Sequence, residues 1–146
     1  MPRVSTYLNF RRETEAAFGF YREVFGGEYL GPVMRYTEAP ADHGPALPEA
    51  DRGLVMHMAV TILGGHVLMG TDMPESLRMP LVAGNNAHVV LEPDTRAEAE
   101  RLYAALSEGG EIEMPLQDMF WGELFASFAD RFGTRWMINC SEPKAA

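Results

Sequence analysis

The chain has 146 residues, 47% of them hydrophobic and 23% charged, which fits one globular domain able to bury about two-thirds of its unfolded surface. Twelve Lys and Arg against 21 Asp and Glu give a formal charge of −9, which repels phosphate backbones and argues against nucleic acid as a main partner. A single cysteine, Cys140, excludes an internal disulfide and suits a cytoplasmic protein.

The first 25 residues carry Arg3, Arg11, Arg12, Glu13 and Glu15, which break up any signal-peptide core. Val4–Phe10 alternates as a short strand. A helix is predicted after Glu13, because Ala17, Phe20, Tyr21 and Val24 recur on one face and Gly26-Gly27 stop it. Strands are expected over Tyr29–Thr37, Leu54–Ile62 and His66–Thr71. Between the first two lies the excursion 38–52, with Pro40, Gly44, Pro45 and Pro48, of a length that often carries function. Leu54–Thr71 holds no Asp, Glu, Lys or Arg, yet His57, His66 and Gly64-Gly65 interrupt it. It falls short of the roughly 20 apolar residues of a membrane span and reads as two strands joined by a turn.

Pro74 and Pro80 mark 73–84 as a linker. Beyond it, Asn86–Glu92 reads as a strand, and Thr95-Arg-Ala-Glu98 as a capping box that opens a second helix. That helix has the stripe Ala99, Leu102, Tyr103, Leu106 and ends at Gly109-Gly110. Strands follow over Ile112–Gln117, Leu124–Phe128 and Thr134–Cys140. Subtracting 82 from the second stripe returns the first, so the chain reads as one β-α-β-β-β unit written twice. The expected organisation is a single α+β domain over 1–146, with module 1 over about 2–72 and module 2 over about 85–141.

This repeated unit resembles the vicinal oxygen chelate superfamily of glyoxalase I, extradiol dioxygenases and bleomycin- and fosfomycin-resistance proteins. Within it the chain is most similar to the PhnB-like (3-demethylubiquinone methyltransferase-like) branch. The resemblance rests on Tyr7-Leu-Asn-Phe10, Phe20-Tyr21, Phe25-Gly-Gly27, Val55-Met-His57, Val67-Leu-Met-Gly-Thr-Asp72 and Met114-Pro-Leu-Gln-Asp118. Phe120-Trp-Gly122 and Asp130-Arg-Phe-Gly133, followed by Trp136 and Asn139, make it specific. It implies a glyoxalase-like fold, with two curved mixed sheets forming a cup-shaped cavity.

The resemblance also implies four positions where glyoxalase-type members place metal ligands, on the first and last strands of each half. The offset of 82 assigns Thr6 and His88 to the first strands, and Met69 and Met137 stand on the last. Thioethers are soft, neutral donors, so this set, even with His57 added, suits neither a divalent ion nor the activation of a bound water. The expectation is no metal. No Gly-rich nucleotide turn supports S-adenosylmethionine, and no cofactor is expected.

His57 and His88 are the candidate catalytic residues, as general bases. His57, Met69, His88, Gln117, Trp121, Phe125 and Met137 are the expected ligand-binding set, and thioethers suit an adaptable apolar pocket. The same residues also fit plain packing: an interface histidine, a Met-rich core, core aromatics. Two function classes follow. One is a metal-free protein that binds an apolar or aromatic small molecule in its cavity. The other is a metal- or His-dependent lyase, isomerase or dioxygenase, so whether the chain is an enzyme stays open. Exposed sheet edges and a strand apolar on both faces, Leu54–Ile62, point to a homodimer.

Overall fold

A computed structural model of the chain describes residues 2–39 and 47–145, so part of the 38–52 excursion, residues 40–46, lies outside the described residues. The chain divides into two compact units, Met1–Val82 and Ala83–Ala146. Among the described residues no helix is long and apolar enough to cross a membrane.

The first unit contains β1 (Thr6–Phe10), α1 (Thr14–Phe25), β2 (Met34–Arg35), β3 (Val55–Thr61) and β4 (Val67–Asp72). The sheet order is β1-β4-β3-β2, with β1 parallel to β4 and the other pairs antiparallel. The strand expected over Tyr29–Thr37 is shorter than its pattern suggested: Tyr29 makes only an isolated bridge to Val60 before β2. Helix α1 buries Ala17, Phe18, Tyr21 and Val24 against the sheet, while Phe20 is half-buried.

Asp72 ties helix to sheet. Its buried carboxylate accepts the Thr14 amide on Oδ1 (3.0 Å) and the Val55 amide on Oδ2 (2.9 Å), taking one of the free donors of the α1 N-terminus. Beside it, the Thr14 hydroxyl is fully buried and has no hydrogen-bond partner among the described residues. An apolar group of the same shape loses nothing there. Thr14→Val is therefore expected to leave stability within about 1 kcal/mol of the parent, on the stabilising side, in urea unfolding. A larger loss would mean that the hydroxyl has a partner in solution.

The second unit repeats the plan with β5 (Val89–Leu91), α2 (Arg96–Ser107), β6 (Glu111–Asp118), β7 (Leu124–Ala129) and β8 (Arg135–Cys140). The sheet order is β5-β8-β7-β6, with β5 parallel to β8. The first strand, expected over Asn86–Glu92, is only three residues long. Thr95 caps α2 as predicted, its hydroxyl accepting the Glu98 amide at 3.1 Å. The reciprocal arm is a correction: the Glu98 carboxylate binds Arg101 instead, at 2.7 and 2.9 Å. Leu102 and Leu106 of α2 are fully buried, as are Phe128, Trp136 and Ile138 of the sheet, with Tyr103 edge-on to Phe128.

The strand registers fix which residues share a face. In β4, Leu68, Gly70 and Asp72 are buried towards α1; a Cβ on Gly70 would meet Phe18 and Thr14. Met69 and Thr71 therefore face away from the helix. In β8 the same alternation turns Trp136, Ile138 and Cys140 inward and Arg135, Met137 and Asn139 to the opposite face.

Candidate functional site

On the helix-free face of the first sheet, Met69 pairs with Tyr7 of β1, and Thr6 pairs with Leu68. This corrects the position assigned from the repeat. A strand shifted by one residue turns every side chain to the other face. Thr6 accordingly lies on the Leu68 face, its hydroxyl 2.9 Å from His66 Nε2, and does not share the face of Met69. The repeat explains the slip. Met69 and Met137 are equivalent, and their partners are Tyr7 and Val90, 83 positions apart, whereas the helices are 82 apart.

Tyr7 brings a phenol to this face. Its Oη lies 3.1 Å from His57 Nδ1, and the two rings are 5.8 Å apart. Partial burial first, and the neighbouring Tyr36 second, push the Tyr7 hydroxyl above its usual pKa, against a hydrogen bond with Thr71. Tyr36 donates its own hydroxyl to the Asp72 carbonyl at 2.6 Å. His57 and Met69 thus share a face with two tyrosines, Tyr7, which the sequence offers only as part of a family motif, and Tyr36.

In the second unit, His88, Met137 and Phe125 come onto one face together with three residues missed from sequence: Glu113, Ser127 and Arg135. Phe125 pairs with Asn139, Ser127 with Met137, and Ala129 with Arg135. Glu113 Oε1 lies 3.0 Å from His88 Nε2 and accepts the Ser127 hydroxyl at 3.0 Å. Its other oxygen, Oε2, pairs with Arg135 Nη1 at 3.1 Å. The His88 hydrogen bond above all, with Ser127 and the Arg135 charge adding, holds the Glu113 carboxyl below the usual carboxylate range against the cost of its partial burial.

Parity along the strands was the available signal for Arg135 and Ser127, which lie two residues from Met137 and Phe125. Glu113 had none. The β6–β7 register shifts between Ile112 and Met114, and such a bulge re-aims the residue it displaces.

Gln117 pairs directly with Phe125. Trp121 sits in the turn from β6 to β7, where Gly122 takes a φ of +98°. The indole is half exposed, edge-on to Phe125 at 6.4 Å and to the almost fully exposed Phe120 at 4.9 Å. Trp121, Phe125 and Gln117 therefore form one end of the second sheet's open face, with Ser127, Met137, His88, Glu113 and Arg135 further along it. Of the seven expected ligand-binding residues, five fall in this unit, and His57 and Met69 in the other.

A divalent ion wants several carboxylate oxygens and imidazole nitrogens. The first sheet offers His57 beside a thioether. The second offers His88 and Glu113, but Arg135 already holds the other carboxylate oxygen and sets a cation where a second cation would sit. Among the described residues no three His, Cys, Asp or Glu side chains gather as a metal site. These residues do not fit the divalent ion that the resemblance to glyoxalase-type proteins implies.

Comparison with known proteins agrees with this architecture. Residues 3–138 match the model of the Glyoxalase/Bleomycin resistance protein/Dioxygenase superfamily. The chain is similar to the crystal structure of protein PA1353 from Pseudomonas aeruginosa, at 32% identity and a TM-score of 0.81, over 96% of this chain and 98% of that one. It is also similar to the putative 3-demethylubiquinone-9 3-methyltransferase, PhnB protein, from Bacillus cereus, a likeness of fold at 23% identity and TM-score 0.74 over 95% and 99% of the two chains. Among curated proteins it is 28% identical to protein YjdN of Escherichia coli (strain K12) over 141 residues, 93% of each chain.

Proposed function

Because the chain belongs to the glyoxalase/bleomycin resistance protein/dioxygenase superfamily, we propose that it binds an apolar or aromatic small molecule, without a metal ion, on the helix-free faces of its sheets. One observation carries this reading. The middle of each open face presents a thioether, Met69 or Met137, where an ion would need a charged or imidazole donor. Thioethers are polarizable and flexible, and they favour contact with aromatic rings. Phe125 and the half-exposed Trp121 extend that apolar surface in the second unit.

The test is quenching of tryptophan fluorescence by a nitroaromatic, 4-nitroanisole, on protein stripped with a chelator. Saturable quenching is expected, unchanged by chelation. Trp121→Phe should remove most of it, because Trp136, fully buried behind the sheet, is shielded from a ligand on this face. Binding that appears only after a divalent ion is added would sink the metal-free reading. Equal quenching in Trp121→Phe would remove Trp121 from the site.

A further inference from the structure

The second unit's open face holds a polar group whose hydrogen bonds define its chemistry. His88 Nε2 has two neighbours, Glu113 Oε1 at 3.0 Å and Ser127 Oγ at 3.4 Å. The Ser127 hydroxyl spends its hydrogen on the same Glu113 oxygen, so towards His88 it too is an acceptor. Facing two acceptors, Nε2 must carry the ring hydrogen. In the neutral ring the lone pair is then on Nδ1, which has no hydrogen-bond partner among the described residues. Glu113 remains ionised beside the ring and stabilises any positive charge that forms there.

Arg135 completes the group. Its Nε donates to the Gly84 carbonyl at 3.0 Å and its Nη1 pairs with Glu113 Oε2, which fixes the guanidinium. Nη2 makes no hydrogen bond or ion pair among the described residues. One carboxylate thus holds a base by one oxygen and a cation by the other, and His88 and Arg135 directly precede the paired Val89 and Trp136 on the neighbouring strands β5 and β8. Phe125 lies on the same face, two residues along β7 from Ser127, a separation of about 7 Å. An aromatic ring resting near Phe125 places a ring substituent within reach of the polar group.

We propose that this face takes a weakly acidic phenol and holds it as its phenolate, with His88 Nδ1 accepting the proton and Arg135 Nη2 meeting the oxygen anion. The phenol O–H bond breaks, a new N–H bond forms at Nδ1, and the electron pair stays on the oxygen. No oxidant, metal or further reactant enters. Glu113 and Ser127 are positioning residues: they fix the tautomer and balance the imidazolium. This inference rests on the aromatic-binding reading above and adds to it the class of ligand.

The probe is 4-nitrophenol, whose phenolate is coloured, with 4-nitroanisole as the control that keeps the ring and lacks the acidic hydrogen. Saturating wild-type protein should raise the phenolate-to-phenol ratio about tenfold at fixed pH, the effect of a fixed cation close to a titrating group. His88→Gln and Arg135→Gln should each abolish most of that rise, read at saturating 4-nitrophenol. Arg135→Lys, which keeps the charge, should retain part of it. The near-ultraviolet signal of Trp136 checks that each variant is folded, and the wild-type ratio is decisive by itself. If both ligands bind and the ratio does not move, the proton transfer is overturned while aromatic binding stands. If neither binds, both readings fall.

Discussion

Replacing Asp130 by alanine is expected to cost about 4 kcal/mol, the upper end of what single substitutions do. Asp130 stands where β7 ends and the chain turns back into β8. Its backbone closes the turn, donating to the Thr134 carbonyl at 2.8 Å and accepting the Gly133 amide at 3.0 Å. Its buried carboxylate then collects three more donors. Oδ1 accepts from the amides of Phe132 (2.8 Å) and Thr134 (3.1 Å), and Oδ2 accepts from the indole Nε1 of Trp136 at 2.9 Å. Trp136 is wholly buried, so water does not take over its N–H when the carboxylate goes. A buried donor left unsatisfied costs about 1–3 kcal/mol, and bonds to a charged acceptor sit at the high end. The check is urea unfolding, with the midpoint falling and the slope unchanged. Asp130→Asn, which keeps an acceptor oxygen but turns an amide towards one of the donors, should fall between the two. A loss under about 1 kcal/mol for Asp130→Ala would show that the turn closes by its backbone alone.

That turn is a place where sequence and structure agree, for a local reason. Asp-Arg-Phe-Gly contains its own instructions: an acceptor that reaches amides two and four residues on, and a glycine for the positive φ of +90° at Gly133. The Thr95 cap and most of the two helical stripes are legible for the same reason, since every partner lies within a turn or two, although α1 buries Phe18 and leaves Phe20 half-buried. The candidate site is different. It depends on which residues of distant strands stand opposite one another, and no local pattern states that. The repeat came close, but an offset that holds on the helices slips by one in the preceding strand, and this chose Thr6, which lies on the opposite face from Tyr7, the partner of Met69. Glu113 is hidden still more deeply. It lies in a stretch of alternating character whose alternation breaks at a bulge, so its partners, His88, Ser127 and Arg135, appear only once the strands are paired. His57 and His88 could be chosen for their chemistry, whereas the groups that define that chemistry could not.

Alanine at Gly27 or at Gly110 is expected to cost about 3 kcal/mol, each acting within its own unit. Both glycines are the second of the pair that follows a helix, and from sequence both read as helix stops. The first of each pair takes a left-handed φ, but only Gly26 (+63°) caps its helix; α2 already leaves helical geometry at Glu108 (φ −60°, ψ 124°), and Gly109 (+76°) sits in the turn that follows, closed by the Gly110 amide on the Ser107 carbonyl. The second glycine has a different task. A Cβ on Gly27 would lie inside van der Waals contact of the Thr61 carbonyl oxygen and 2.9 Å from its carbon, at the end of β3. A Cβ on Gly110 would meet the Ala129 carbonyl oxygen in the same way and lie 2.8 Å from the Asp130 carbonyl carbon, at the end of β7. These obstacles are backbone, so no side-chain rotation relieves them. The chain leaving the helix must move off the strand, and at Gly27 the Glu28–Thr61 hydrogen bonds, including Thr61 N–H to Glu28 O at 2.9 Å, move with it. At Gly110 the displaced strand is β6, the one that carries Glu113. The second variant should therefore loosen the His88–Glu113–Arg135 group as well as lower the unfolding midpoint, whereas Gly27→Ala should lower the midpoint alone. Gly53→Ala is the control, since a Cβ there meets nothing within 4 Å and φ is not positive; its midpoint should stay within about 0.5 kcal/mol of the parent. If Gly27→Ala and Gly110→Ala behave like Gly53→Ala, the close approach of each helix exit to its strand does not exist in solution.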